Sequence, residues 1–311
     1  MVYPGRVFEK YGMMHLEAVC LGYAVPRHYF DAEVHSAFTS AANLHLMRDG
    51  QLLTLVAAEE ADLPQGIRLN TPQGFSFEGL RTKQKVTCRD GILRCEHDPL
   101  TIDLRMARQW KCNLIALATN MNDPATSAAW KLVEQVLEGW HARAEIGLPM
   151  GQNNAAHRMN ESVSNLVAST RQCDLAAAVR AVETLIGLGS GLTPAGDDFL
   201  VGYLAGLWCT TSESTKHIRF LAEFGKAVVH LSCRTNDISR TYLVYAAQGQ
   251  VSSRLTDLAE AICRGEDSDR LLKTAKAAIQ VGHDSGIKVV TGLLQGLSAW
   301  ERDHTQILLV S

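Results

Sequence analysis

The sequence lacks the cysteine and histidine patterns that hold metals or scaffold a small secreted fold. Its eight cysteines, at positions 20, 88, 95, 112, 173, 209, 233 and 263, include no Cys-x-x-Cys pair. No His-Glu-x-x-His run or close cysteine–histidine cluster occurs, so the ligand spacings of a structural zinc site are absent. Reduced thiols are the simplest expectation for a chain of 311 residues. Charge of one sign is lacking too. Lys and Arg number 30 against 33 Asp and Glu, a net charge of −3, which gives no electrostatic case for nucleic acid or an anionic membrane. Long apolar runs are missing as well: the longest, Phe199–Cys209, is far short of the roughly 20 residues that span a bilayer. The first residues carry no apolar signal region. A soluble, cytoplasmic protein with neither nucleic acid nor membrane as partner is expected. What is present is enough for a core: hydrophobic residues make up 46% and charged residues 20%, fitting one large domain or two ordinary ones.

The first third predicts strands. Leu44–Val56 is two apolar runs around Asp49-Gly50, and Lys85–Cys95 repeats the design around Asp90-Gly91. Asp-Gly between such runs is the strongest short hairpin signal. Segments at His15–Cys20, Ile67–Leu69, Phe75–Phe77 and Leu114–Ala118 could add strands. The fold class expected is α+β, with a β-rich N-terminal part (a small antiparallel barrel or sandwich) followed by a mostly helical C-terminal part. The turn cluster Asn120–Pro124 places the boundary, giving domains 1–122 and 123–311. Helices are predicted over Ala125–Ala144, Asp174–Ile186, Pro194–Cys209, His217–His230, Ile238–Gln248, Ser253–Cys263, Asp269–Val281 and Ser285–Glu301. Glu145–Arg158, with its Gly, Pro and Asn, reads as a loop, and Thr210–Thr215 as an exposed polar connection.

Chemistry concentrates in Gly187-Leu-Gly-Ser-Gly-Leu-Thr-Pro-Ala-Gly-Asp-Asp198. Gly187, Gly189 and Gly191 alternate ahead of a helix start, with Thr193 as expected cap and Pro194 at the first position. Backbone N–H groups without β-carbons beside them let a ligand approach closely. A helix start behind such a loop is a ready anion site. Gly189, Ser190, Gly191 and Thr193 are therefore candidate anion-binding residues. The run is neither a Walker A loop nor the dinucleotide fingerprint, and a tight turn before a capped helix accounts for it equally. Asp197 and Asp198 repel an anion, so they need a different role. One can orient an amide or serve as a base, both can hold Mg²⁺, or both can bind backbone N–H groups and fix the loop.

Two further stretches share this construction. Gly282-His-Asp-Ser-Gly286 interrupts two helices and offers His283, Asp284, Ser285 and Gly286. Arg234-Thr-Asn-Asp-Ile-Ser-Arg240 begins another helix, with Asn236 or Asp237 as cap and Gly249 as stop. Arg234 and Arg240 bracket that start, with Ser239 between them, and a guanidinium holds carboxylate or phosphate bidentately. An ordinary helix–turn–helix and a solvated arginine pair are the plainer alternatives. Gly202 with Gly206, and Gly292 with Gly296, then lie on one face of their helices. Mid-helix glycine costs about 1 kcal/mol relative to alanine. Close crossing of these two helices would explain it, and with N-termini at one end their turns would share a pocket.

At these three motifs the chain resembles the small-subunit family of the anaerobic allantoin-pathway oxamate carbamoyltransferase, once catalogued as a domain of unknown function. The carriers are Gly187–Asp198, Ile238–Gly249 and Gly282–Gly286, in that order, within Leu185–Leu297. The N-terminal third matches loosely, through Asn43-Leu-His-Leu and Leu52-Leu-Thr-Leu. The resemblance implies a cytoplasmic subunit of a hetero-oligomer, working with partner subunits on a small anionic amide or phosphate substrate. The implied reaction exchanges a carbamoyl group between carbamoyl phosphate and oxamate, with oxalurate and phosphate on the other side. His283, Asp197 and Asp198 are then the candidate catalytic residues, with no cofactor unless the aspartates hold Mg²⁺. Two positions depart from the family pattern: Asp284 replaces a threonine and Lys288 an aspartate. A non-catalytic anion-binding or assembly subunit and a Mg²⁺-dependent hydrolase of an amide or phosphate compound remain as alternatives.

Overall fold

The computed structural model describes residues 14–97, 99–145, 153–211, 214–282 and 284–301. The chain divides into two compact units, Met1–Lys111 and Cys112–Ser311. The turn cluster Asn120–Pro124 falls inside the second unit, directly ahead of its first α-helix.

In the first unit, alternating apolar residues build β1 (Met14–Gly22), β2 (Phe30–Ala37), β3 (Ala41–Leu46), β4 (Leu52–Val56), β5 (Gly66–Leu69), β6 (Lys85–Arg89), β7 (Ile92–Cys95), β8 (Leu100–Asp103) and β9 (Arg108–Trp110). Neighbours run β5-β4-β3-β2-β6-β7-β8-β1, and β1 pairs back onto β5, so the sheet closes as an eight-stranded barrel rather than a sandwich. β9 continues the β8 side of β1 in parallel, with Cys20 opposite Arg108. The expected antiparallel pattern holds except at β4–β5, β1–β8 and β1–β9, which are parallel. Both Asp-Gly hairpins form. At the tighter one, Asp90 (φ 52°) and Gly91 (φ 74°) adopt the left-handed backbone that a type I′ turn requires at both central positions. Val34, Leu44, Leu55, Ile67, Val86, Leu93 and Ile102 fill the barrel.

Two predicted strands are not strands. Phe77–Gly79 is a 3-10 turn, because the Ser76 hydroxyl accepts the Glu78 N–H and starts a helical turn. Leu114–Leu117 is also 3-10, ended by Ala118 in the left-handed region. A four-residue apolar run carries no periodicity that separates the two states.

The second unit comprises α1 (Pro124–Glu145), α2 (Asn153–Gln172), α3 (Leu175–Leu185), α4 (Ala195–Thr210), α5 (Thr215–Leu231), α6 (Asp237–Ala246), α7 (Ser253–Cys263), α8 (Ser268–Ile279) and α9 (Ser285–Leu297). The predicted loop at 145–158 is overturned where α2 already runs from Asn153. The predicted exposed connection after α4 is overturned at Thr211, which is buried with its hydroxyl bonded to the Leu207 carbonyl. Side-chain caps from Asp174, Ser214, Asn236, Ser252 and Asp267 start five of these helices, as local sequence dictates. Among the described residues no helix is long and apolar enough to cross a membrane.

α4 is apolar nearly all round and correspondingly buried, with Phe199, Leu200, Tyr203, Leu204, Ala205 and Leu207 inaccessible to solvent. It packs against α3, α5, α6, α7 and, most closely, α9. The glycine faces explain that closeness. A β-carbon on Gly202 would lie 1.8 Å from the Val289 carbonyl oxygen, and one on Gly292 would lie 2.1 Å from that of Phe199. Gly206 and Gly296 repeat the relation one turn later, against Leu293 and Tyr203. Because the contacts advance together along both helices, α4 and α9 run parallel with their N-termini at one end.

Candidate functional site

The site begins with the backbone of the glycine loop. Gly187 (φ 73°), Gly189 (φ 119°) and Gly191 (φ 101°) all occupy the left-handed region, so the alternation of glycines is a conformational requirement. Gly189 also seats the loop on the helix, since its β-carbon would lie 2.7 Å from the Ala195 nitrogen. Gly187, Gly189, Ser190, Gly191 and Leu192 are exposed. Among the described residues no acceptor takes up the N–H groups of Gly189, Ser190, Gly191 or Thr193. Successive free N–H groups in such a turn form an anion-receptive concavity.

The helix start differs from expectation in one respect. Pro194, not Thr193, occupies the cap position of α4, and no side chain caps it. Thr193 is instead one residue outside, where its hydroxyl donates to Asp198 Oδ2 at 3.1 Å and meets Ser285 Oγ at 2.8 Å. That triad of Thr193, Asp198 and Ser285 joins the N-termini of α4 and α9.

The two aspartates separate in role. Asp197 Oδ1 accepts the Gly187 N–H at 2.8 Å and Oδ2 accepts the Thr235 hydroxyl at 2.5 Å, with the buried Ser239 beside the same carboxyl. It ties the glycine loop to the turn before α6. Burial pushes its carboxyl up, opposed by those hydrogen bonds. Asp198 is pushed further. Burial raises it to about 7 against hydrogen bonds from Ser285 and Thr193, and the Asp197 charge adds to the rise. A carboxyl there exchanges a proton near neutrality. Their partners lie on different segments, and among the described residues no group of three or more His, Cys, Asp or Glu side chains is placed to hold a metal ion.

Both arginines are exposed, and the backbone of Arg234 lies against the loop. Arg234 follows α5 in a 3-10 turn; its carbonyl oxygen stands 3.3 Å from where a Gly187 β-carbon would be, and its guanidinium reaches Glu183 at 4.0 Å. Arg240 is exposed in the first half of α6. Asn236, expected only as a cap, does double duty. Its oxygen accepts the Ile238 and Ser239 N–H groups while its amide donates to the Leu192 carbonyl at 3.0 Å. At α9, Asp284 is exposed at the cap position without capping. Gly286 serves packing, since its β-carbon would lie 2.2 Å from the Ile279 carbonyl oxygen and its own N–H donates to Val281. His283 lies outside the described residues.

Sequence reasoning gave Thr235 no role, because a threonine before an Asn cap carries no signal of its own. It noted Lys288 only as a departure. Asp62, Asp197, Asp198 and Lys288 are the charged side chains buried among the described residues, and the last three belong to the first turns of α4 and α9. A lysine is almost never buried without reason. Burial pulls the Lys288 ammonium below its ordinary range, against the attraction of Asp284.

Comparison with known proteins gives two matches. A family model described as oxamate carbamoyltransferase subunit AllH matches residues 185–297, which contain the whole site. The AllH family N-terminal domain matches residues 18–109, the barrel. No curated protein and no solved structure matches the chain.

Proposed function

The chain belongs to the family of the oxamate carbamoyltransferase subunit AllH, and from that membership we propose that it takes part in carbamoyl exchange between carbamoyl phosphate and oxamate. The observation that carries this reading is the exposed loop of free N–H groups at 189–193, beside a buried carboxyl poised near neutrality. In the forward direction the oxamate amide nitrogen attacks the carbamoyl carbon. The bond from that carbon to the phosphate oxygen breaks, and phosphate leaves with the electron pair. One proton must leave the nitrogen. Asp198 is the group we assign to accept it, since general acid–base catalysis is most effective when the pKa lies near the working pH. The N–H groups of Gly189, Ser190, Gly191 and Thr193 hold the phosphate or the oxamate carboxylate, and Arg234, Arg240 and Lys288 supply positive charge. Asp197 acts through the loop it fixes. His283 is the candidate to polarise the carbamoyl oxygen.

We further propose that the chain works in the cytoplasm as one subunit of a hetero-oligomer. The exposure of Gly187 and of Gly189–Leu192 favours a second reading, in which the subunit binds the small anion and a partner completes the site. The test is turnover of the complex purified with its partner subunits. Asp198→Ala is expected to lower kcat about 100-fold or more while thermal unfolding stays cooperative. Wild-type turnover in that variant removes Asp198 from the reaction. Transfer by the isolated chain excludes the second reading. Calorimetry with Mg²⁺ and phosphate separates the anion site from a metal-dependent hydrolase.

A further inference from the structure

Asp198 is buried, yet a proton assigned to it has to arrive from a substrate outside. Two half-buried hydroxyls supply a route. Thr193 stands just before α4, and Ser285 is the first residue of α9. Thr193 Oγ1 lies 3.1 Å from Asp198 Oδ2 and 2.8 Å from Ser285 Oγ. A hydroxyl has one hydrogen to donate and lone pairs to accept with. Thr193 gives its hydrogen to the Asp198 carboxylate, so the hydrogen in the shorter contact comes from Ser285. The donors therefore run from Ser285 to Thr193 to Asp198, all pointing inward. The Ser285 oxygen keeps its lone pairs for a hydrogen from outside. Protonation of Asp198 reverses the row: the carboxyl donates to Thr193, Thr193 to Ser285, and Ser285 outward. Asp197 lies off this row, since its oxygens accept the Gly187 N–H and the Thr235 hydroxyl. Asp284 and Lys288 bracket Ser285 in the chain.

We propose that Ser285 is a catalytic residue, which takes the proton from the attacking oxamate nitrogen and, through Thr193, relays it to Asp198. This rests on the reading of Asp198 as the base in carbamoyl exchange. The nitrogen–carbon bond forms, the bond from that carbon to the phosphate oxygen breaks, and phosphate leaves with the electron pair. Meanwhile the nitrogen's proton passes to Ser285 Oγ, the Ser285 proton to Thr193 Oγ1, and the Thr193 proton to Asp198 Oδ2. Each hydroxyl gains one proton and loses one, so only the nitrogen and the carboxylate change their proton count. Once the products have left, the outward-pointing row passes the proton to water. In the reverse direction it returns the proton to the departing nitrogen. The two polarities of one row thus serve the two directions of the exchange.

The test follows the proton at Asp198 in the full-length chain, isotope-labelled at its aspartate carboxyls. The Asp198 signal is identified by NMR from its loss in Asp198→Asn and followed through the midpoint of its titration, at about pH 7 in the wild type. The wild type is expected to show one averaged signal there, because the row exchanges the proton quickly with solvent. Thr193→Ser, which keeps a hydroxyl, should do the same. Thr193→Val and Ser285→Ala cut the row and should each split the signal into protonated and ionised forms. In the complex with its partner subunits, both cut variants are expected to lower kcat about 100-fold with KM little changed, and Ser285→Thr to keep most of the rate. An averaged signal in either cut variant overturns the relay, as do two signals in the wild type or wild-type turnover in Ser285→Ala. The NMR measurement needs no substrate, so it judges the relay even where the transfer reading fails. Wild-type turnover in Asp198→Ala is the result that removes Asp198 as the base.

Discussion

The barrel and the helical unit bury charge in opposite ways. In the barrel, Asp62 receives Arg68 Nε at 2.7 Å and Arg108 Nη2 at 2.5 Å. Burial pushes its carboxyl up, but the hydrogen bonds from Arg68 and Cys20 and the charges of Arg68 and Arg108 outweigh that and leave it below the ordinary range. The helical unit gives its carboxylates neutral donors instead: Gly187 and Thr235 for Asp197, Thr193 and Ser285 for Asp198. Hydroxyls and amides orient a carboxyl without neutralising it, so burial prevails and the charge is left to be settled by a proton or a ligand. A charge closed off by its own counter-ions serves the fold. A buried charge left open in this way is where we propose the site.

The comparison can be broken at the backbone first. Gly202→Val would drive a side chain into the α9 backbone, so we expect a cost of more than about 3 kcal/mol or outright failure to fold, read from urea unfolding. Gly74→Ala in the barrel, where φ is 78° and the space is open, should cost only about 1 kcal/mol, from backbone strain alone. A mild effect at Gly202 would show that the helices separate without penalty and that their shared end is incidental.

Next in size is Asp62→Asn, which leaves two guanidinium groups short of their carboxylate. Arg108 is half exposed, so the loss at neutral pH should be about 2–3 kcal/mol, at or below the lower end of the range for broken buried pairs. A carboxylate depressed by folding contributes above its unfolded pKa and loses that contribution as pH falls. The deficit of the variant should therefore shrink on acidification below about pH 4, measured as urea midpoints at several pH values. A pH-independent deficit would mean that the pair acts by packing.

Asp198→Asn should do the reverse, by a smaller amount. Folding favours the protonated Asp198, whose carboxyl stands at about 7, so between about pH 4 and 7 the native state binds the extra proton. Wild-type stability from this residue then declines as pH rises through that window, and the asparagine variant should lack the decline. At pH 8 the variant should be more stable by about 1–2 kcal/mol. Identical pH profiles would place Asp198 among ordinary solvated carboxylates.

Much of this contrast was legible along the chain. Asp49-Gly50 and Asp90-Gly91 announced their hairpins because a short turn, two residues at Asp90-Gly91 and a longer loop at Asp49-Gly50, is decided by the residues in it. The glycine pairs at 202/206 and 292/296 announced the α4–α9 crossing because nothing local repays a mid-helix glycine. Leu114–Leu117 misled because a short apolar run fits strand and helix alike, and its state was set by packing. At the site, the glycine loop was legible, while the division of labour between Asp197 and Asp198 was not. Thr235 donates to Asp197 from 38 positions away, and Ser285 meets Thr193, the donor to Asp198, from 92 positions away.

By itself, then, the sequence determined the local devices: which turns close hairpins, which residues cap helices, which helix faces could touch and where free N–H groups gather. Each is fixed by a few neighbouring dihedrals and side chains. Only the tertiary structure decided that the strands close into a barrel, that α4 and α9 run parallel, and that one aspartate is tied off while its neighbour is held near neutrality. Those outcomes depend on burial and on partners from remote segments, which set the dielectric and the counter-charges around a group and are not encoded in its immediate neighbours.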